Sequence, residues 1–82
     1  MLGELKDALM CVGLKQSKKA LDEGRIKKAF VACDAEANLI RDFVSDCKAM
    51  GIELETVPTM AILGHAAGVD IGASVVSVLK KK

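Results

Sequence analysis

Ala29-Phe30-Val31-Ala32-Cys33 is an uninterrupted apolar run, with Lys27-Lys28 before it and Asp34 after it. A short apolar stretch bounded by charge suits a strand buried on both faces. Such a strand needs cover on two sides, and the flanking sequence supplies it. Upstream, a helix runs from about Lys15 or Gln16 to Glu23, with Gly24 as its C-terminal stop. Downstream, Asp34 stands at a good N-cap position for a helix spanning roughly Ala37 to Met50 and ended by Gly51. The apolar stripe of that helix is Leu39, Ile40, Phe43, Val44 and Cys47.

Farther out, Ile52, Leu54 and Thr56 alternate with Glu53, Glu55 and Val57. A period of two marks a strand, and Pro58, the only proline, stops it. Thr59 caps a short helix through Met60, Ile62, Leu63 and Ala66, closed by Gly68. The last strand covers about Ala73 to Leu79, with Val75, Val76 and Val78 as β-branched members. At the start of the chain, Leu2, Leu5, Leu9 and Val12 fall near helical spacing and predict an opening helix ending near Cys11, where Gly13 breaks the pattern. Gly64, Gly68 and Gly72 read as a helix stop, a turn and a point of close packing. Alternating helices and strands predict an α/β sandwich, its sheet mostly buried and its helices on both faces.

With 82 residues, the chain is long enough for one domain, taken as 1–79, followed by a flexible basic tail, Lys80-Lys81-Lys82. Half the residues are apolar (51%), enough to fold, but Phe30 and Phe43 are the only aromatics. Ala, Val, Leu, Ile and Met must therefore build the core. Three widely spaced cysteines (Cys11, Cys33, Cys47) and no leader segment argue against a disulfide framework. Cys33 and Cys47 are expected as small core residues. With no CxxC pair and one histidine, His65, a zinc site is not expected. Apolar stretches fall short of a membrane span, and these features together predict a cytoplasmic protein. No phosphate-binding glycine loop is present, and His65 has no evident nucleophile, so neither a cofactor nor an enzyme activity is expected.

Net charge is only +1, but it is polarised. Residues 1–28 carry seven cations against four carboxylates, and residues 29–79 carry two against seven. That asymmetry predicts a local anion-binding face rather than a generally basic protein. The face is expected at Gly13-Leu14-Lys15-Gln16-Ser17-Lys18-Lys19. Lysines are unfavourable at a helix N-terminus because they oppose the helix dipole, so three in the first turns make sense where an anion is to be held. Gln16 donates and accepts at once and can read a base edge. A second stretch, Glu55-Thr56-Val57-Pro58-Thr59-Met60, joins a strand to a helix and offers apolar side chains to an unstacked base.

Gly13-x-Lys15-Gln16-x-x-Lys19, Val31-Ala32-x-Asp34-Ala35 and Val57-Pro58-Thr59-Met60-x-x-Leu63-Gly64-x-Ala66-x-Gly68 together resemble the kink-turn-binding ribosomal protein family, the L-seven-A-e superfamily, and above all its short bacterial members of the YbxF and YlxQ type. The likeness covers nearly the whole chain in one order. It implies a three-layer α/β/α sandwich with a four-stranded mixed sheet. It also implies non-catalytic binding to kink-turn RNA, in which tandem sheared G·A pairs flank a bulge. By position, the resemblance places Gly13, Lys15, Gln16 and Lys19 in the widened groove of the kink and Glu55, Thr56, Val57 and Pro58 against the bulged nucleotides. Lys15-Gln16 stands where many relatives have Asn-Glu, and Met60 where many have a basic residue.

The expected RNA contacts are Gly13, Leu14, Lys15, Gln16, Lys18, Lys19, Lys28, Asp34, Glu55, Thr56, Val57, Pro58 and Thr59. Kink-turn RNA (ribosomal RNA, a riboswitch or similar) is the expected partner of a monomer, with neither DNA nor membrane. The alternative is a ribosome- or ribonucleoprotein-associated interaction module that no longer binds kink-turns and uses the acidic third helix through Glu36, Asp42 and Asp46. An enzyme built on a cysteine is a third, weaker reading.

Overall fold

The computed structural model describes residues 9–69 and 71–80. At its centre is β2 (Ile26–Ala32), of which only Lys27 is exposed. Its neighbour β4 (Val75–Leu79) is buried at every residue. These strands pair antiparallel, while β3 (Glu53–Val57) pairs parallel to β2, and β1 (Met10–Val12) pairs antiparallel to β4. The sheet is therefore mixed and four-stranded, in the order β1-β4-β2-β3.

Two core clusters lie on opposite faces of this sheet. Helices α1 (Leu14–Asp22) and α2 (Ala37–Ala49) cover one face, where Ala20, Leu21, Phe43 and Cys47 pack on Ile26, Ala29, Val31, Val75 and Leu79. Helix α3 (Met60–Ala66) covers the other, where Leu63 packs on Phe30, Ala32, Val57, Val76 and Val78. Period-two alternation sends the odd residues of β4 to the first cluster and the even ones to the second. The result is an α/β/α sandwich with three helices among the described residues.

Several expectations shift. The helix expected to end near Cys11 has its residues 1–8 outside the described part of the structure, and Met10-Cys11-Val12 form a strand. Three residues are too few to carry a legible period, and pairing with β4 decides their conformation. β2 begins three residues earlier than the apolar run indicates, and Lys28 is buried within it. Leu39 is exposed instead of joining the stripe of α2, and Cys33 is exposed because β2 ends at Ala32. Lys80, the first residue of the expected tail, donates its N–H to the Arg25 carbonyl at 2.7 Å, while Lys81 and Lys82 lie outside the described residues.

Gly64 allows the α3 layer to close. A Cβ there would overlap the Ile71 carbonyl oxygen, so the segment after α3 lies directly against the helix. Gly64→Ala should destabilise the fold by about 1–3 kcal/mol, the usual cost of overpacking. A urea titration measures it, and an unchanged midpoint would contradict the close approach.

Candidate nucleic-acid interface

The C-terminal ends of β1, β2 and β3 and the start of β4 share one end of the sheet, and backbone hydrogen bonds tie the connections there into a row. Gly13 N–H donates to Val75 O (2.7 Å), Ala32 N–H to Ser74 O (2.9 Å) and Cys33 N–H to Val57 O (2.7 Å). The start of α1, the 71–74 segment and the β3–α3 turn thus stand side by side. From Gly13 to Val57 the row crosses three strand spacings, about 14 Å.

Gly13 occupies the N-cap of α1 with φ 99° and ψ 155°, a conformation that L side chains rarely adopt. No side chain among the described residues caps this helix. Its first-turn amides are therefore left for an outside acceptor, with the positive end of the helix dipole behind them. Lys15, Gln16, Lys18 and Lys19 are all exposed, and none of the three lysines pairs with a carboxylate among the described residues. Leu14 is half-buried, and Ser17 is fully buried against the sheet. The α1 part of the expected site thus forms a single cationic surface.

The second part divides. Val57, expected to offer its side chain to a base, is a core residue, 2% exposed. It pairs with Ala32, and the parallel register turns it toward α3. Thr56 and Pro58 are exposed. Thr59 caps α3, its Oγ1 accepting from Ile62 N–H at 3.1 Å. Asp34 does not cap the helix that follows it, because Glu36 occupies that N-cap. Its Oδ1 instead accepts from Met60 N–H at 2.7 Å, fastening the β3–α3 turn to the end of β2.

Lys28, expected to attract phosphate, and Glu55, expected against the bulged nucleotides, instead pair with each other. The Lys28 side chain is 7% exposed, and its Nζ lies 3.1 Å from Glu55 Oε1, 3.3 Å from Glu53 Oε2 and 5.0 Å from the Phe30 ring centre. Parallel pairing of Lys28 with Glu53 and of Phe30 with Glu55 puts all four side chains on one face. The hydrogen bond from the Lys28 ammonium holds the Glu55 carboxyl below its ordinary range. Lys28 therefore neutralises a carboxylate pair within the sheet and is not free to attract phosphate.

Ile71 was not among the expected contacts. It is the most exposed large apolar residue described, at 77%, in the segment that runs from α3 to β4. Ala73 N–H bonds to Met60 O at 3.0 Å and holds that segment against the β3–α3 turn. An isoleucine beside glycine in a helix-to-strand connection was the available signal, but reading Gly64, Gly68 and Gly72 as a helix stop, a turn and a point of close packing passed over it. Among the described residues, no group of three or more His, Cys, Asp or Glu side chains could hold a metal. No helix among them is long and apolar enough to cross a membrane.

Residues 4–82 match the family described as ribosomal protein L7Ae/L30e/S12e/Gadd45. An RNA-binding protein of Caldanaerobacter subterraneus subsp. tengcongensis is 33% identical over 63 residues, 77% of each chain. The RNA-binding protein YbxF of Geobacillus stearothermophilus is 29% identical over 76 residues, 93% of each chain. Among solved structures, the Giardia lamblia 15.5kD RNA binding protein superposes with a TM-score of 0.87 at 21% identity, over 99% of this chain and 72% of that one. A Bacillus halodurans protein of unknown function gives 0.78 at 20% identity, over 96% and 77%. These two structures share the fold.

Lys28→Met should lower the thermal midpoint at neutral pH by leaving Glu53 and Glu55 facing each other uncompensated. A carboxyl whose folded pKa is depressed stabilises the fold above its unfolded value, and that contribution fades as pH falls through the folded value. The gap between wild type and Lys28→Met should therefore narrow below the ordinary Glu55 value of 4.5. Thermal melts across the acid range test this, and a gap independent of pH would refute the coupling.

Proposed function

This chain belongs to the ribosomal protein L7Ae/L30e/S12e/Gadd45 family, and on that footing we propose that it is a non-catalytic RNA-binding protein, a single domain that recognises a kink-turn. The observation that carries this reading is the uncapped, glycine-started α1 with Lys15, Lys18 and Lys19 exposed and without carboxylate partners among the described residues. The relatives named as RNA-binding proteins support the ligand class.

In this reading, the three lysines and the first-turn amides hold phosphates where two strands crowd together at the kink. Gln16 reads a guanine edge through its paired donor and acceptor. Ile71 and Pro58, both exposed on the same end of the sheet, cover the face of an unstacked bulged base. Asp34 and Thr59 act through position, fixing the β3–α3 turn against β2. Because the row of backbone bonds fixes the spacing between the lysines and the apolar surface, a straight duplex cannot meet both. The protein binds the kinked RNA conformer and draws the population toward it.

The test is a titration into an end-labelled kink-turn duplex and into a control whose sheared G·A pairs are replaced by Watson–Crick pairs. Tight binding with a shortened end-to-end distance is expected on the first RNA only. Lys19→Ala should lower the salt slope by about one unit. Gln16→Ala should cost roughly 1–3 kcal/mol on the kink-turn and less on plain duplex. Equal or absent wild-type binding to both RNAs would refute kink-turn recognition and leave protein interaction through Glu36, Asp42 and Asp46 as the better reading.

A further inference from the structure

Beside α1, on the side of the edge strand β1, lies an open groove of about 170 Å³ lined by Cys11, Gln16, Lys19, Ala20, Glu23 and Arg25. It begins at two residues placed in the RNA site and ends at Arg25, which belongs to no part of that site. Gly24 creates this juxtaposition. With φ +67° it turns the chain at the end of α1, so that Arg25 N–H donates to the Ala20 carbonyl at 3.0 Å. Arg25 therefore sits beside the last turn of the helix rather than beyond it. Its carbonyl in turn accepts from Lys80 N–H at 2.7 Å, so its backbone is held from both sides.

The guanidinium is not buried. Its side chain is 58% exposed, and its one ion pair among the described residues, to Glu23 at 3.3 Å, involves a carboxylate that is itself 44% exposed. A solvated pair of this kind contributes little, so exchanging its carboxylate for a phosphate is inexpensive. Arg suits that exchange because its planar fork grips two phosphate oxygens at once. Lys15 and Lys19 lie four residues apart on α1, about 6 Å along its axis, and Arg25 shares the groove with Lys19 near the C-terminal end of the helix.

Resting on the RNA reading above, we propose that this groove carries the sugar-phosphate backbone of one helical arm of the RNA away from the kink. Arg25 is its distal anchor, and Glu23 is a competitor that the phosphate displaces. The bound RNA thus extends along α1 instead of ending at its N-terminus. Because Glu23 opposes the phosphate that Arg25 attracts, neutralising the two side chains should have effects of opposite sign.

The experiment measures Arg25→Gln, Glu23→Gln and wild type against a full kink-turn duplex, and against versions in which each arm in turn is cut back to the pairs bordering the motif. Arg25→Gln is expected to bind the full duplex several-fold more weakly, with the salt slope lower by about one unit. Glu23→Gln is expected to bind it more tightly. Both differences should vanish when one particular arm is removed, while wild type still binds the trimmed RNA. Arg25→Gln equal to wild type on the full duplex would overturn the groove while leaving kink-turn binding standing. A loss that is the same with either arm removed would also overturn it, marking Arg25 as structural. Failure of wild type on every RNA would overturn the RNA reading and the groove with it.

Discussion

Burial of β2 on both faces is the constraint on which the rest of the molecule depends. A strand with Ile26, Ala29 and Val31 against one helical layer and Phe30 and Ala32 against another cannot lie at an edge or on a half-wet sheet. It needs a neighbouring strand on each side and a helix layer above and below. With only two phenylalanines, no large aromatic can fill gaps. The layers must approach closely through Ala20, Ala32, Gly64 and Ala73, and close approach leaves little tolerance in register.

That fixed register also builds the interface. The hydrogen bonds that end the sheet are the same ones that seat Gly13 beside Val75, Ser74 beside Ala32 and Val57 beside Cys33. The cationic start of α1 and the apolar Ile71 are thus held at a set separation by backbone bonds. Their own side chains are left exposed. The spacing of this surface is therefore set by the backbone and not by the side chains that it presents.

The same register explains why the charges divide as they do. Parallel pairing of β2 with β3 brings Lys28 alongside Glu53 and Glu55, where one buried ammonium serves two carboxylates. Without it, two acidic side chains would lie close together on the sheet. The lysines of α1 form no ion pair among the described residues, since the helix presents its buried face through Ser17, Ala20 and Leu21 and turns the others to solvent. Lysines of one sequence region therefore have two different roles, one internal and one external.

The sequence by itself determined that a strand runs through Ala29–Ala32, though not its start at Ile26, together with the helices from about Lys15 and from Ala37, the Thr59 cap and the stops at Gly24, Gly51 and Gly68, because these depend on local periodicity and cap chemistry. The family motifs at Gly13, Asp34 and Val57 were legible for the same reason, being short and in register. Only the tertiary structure decided that Met10–Val12 is a strand, that Lys28 and Val57 turn inward, that Asp34 accepts from Met60 N–H at the start of α3 instead of capping α2, and that Ile71 is left exposed in the segment before β4. Each of these depends on which strand lies beside which. Pairing partners far apart in the chain set the direction of a side chain, and a local pattern carries no information about a neighbour that arrives only when the sheet closes.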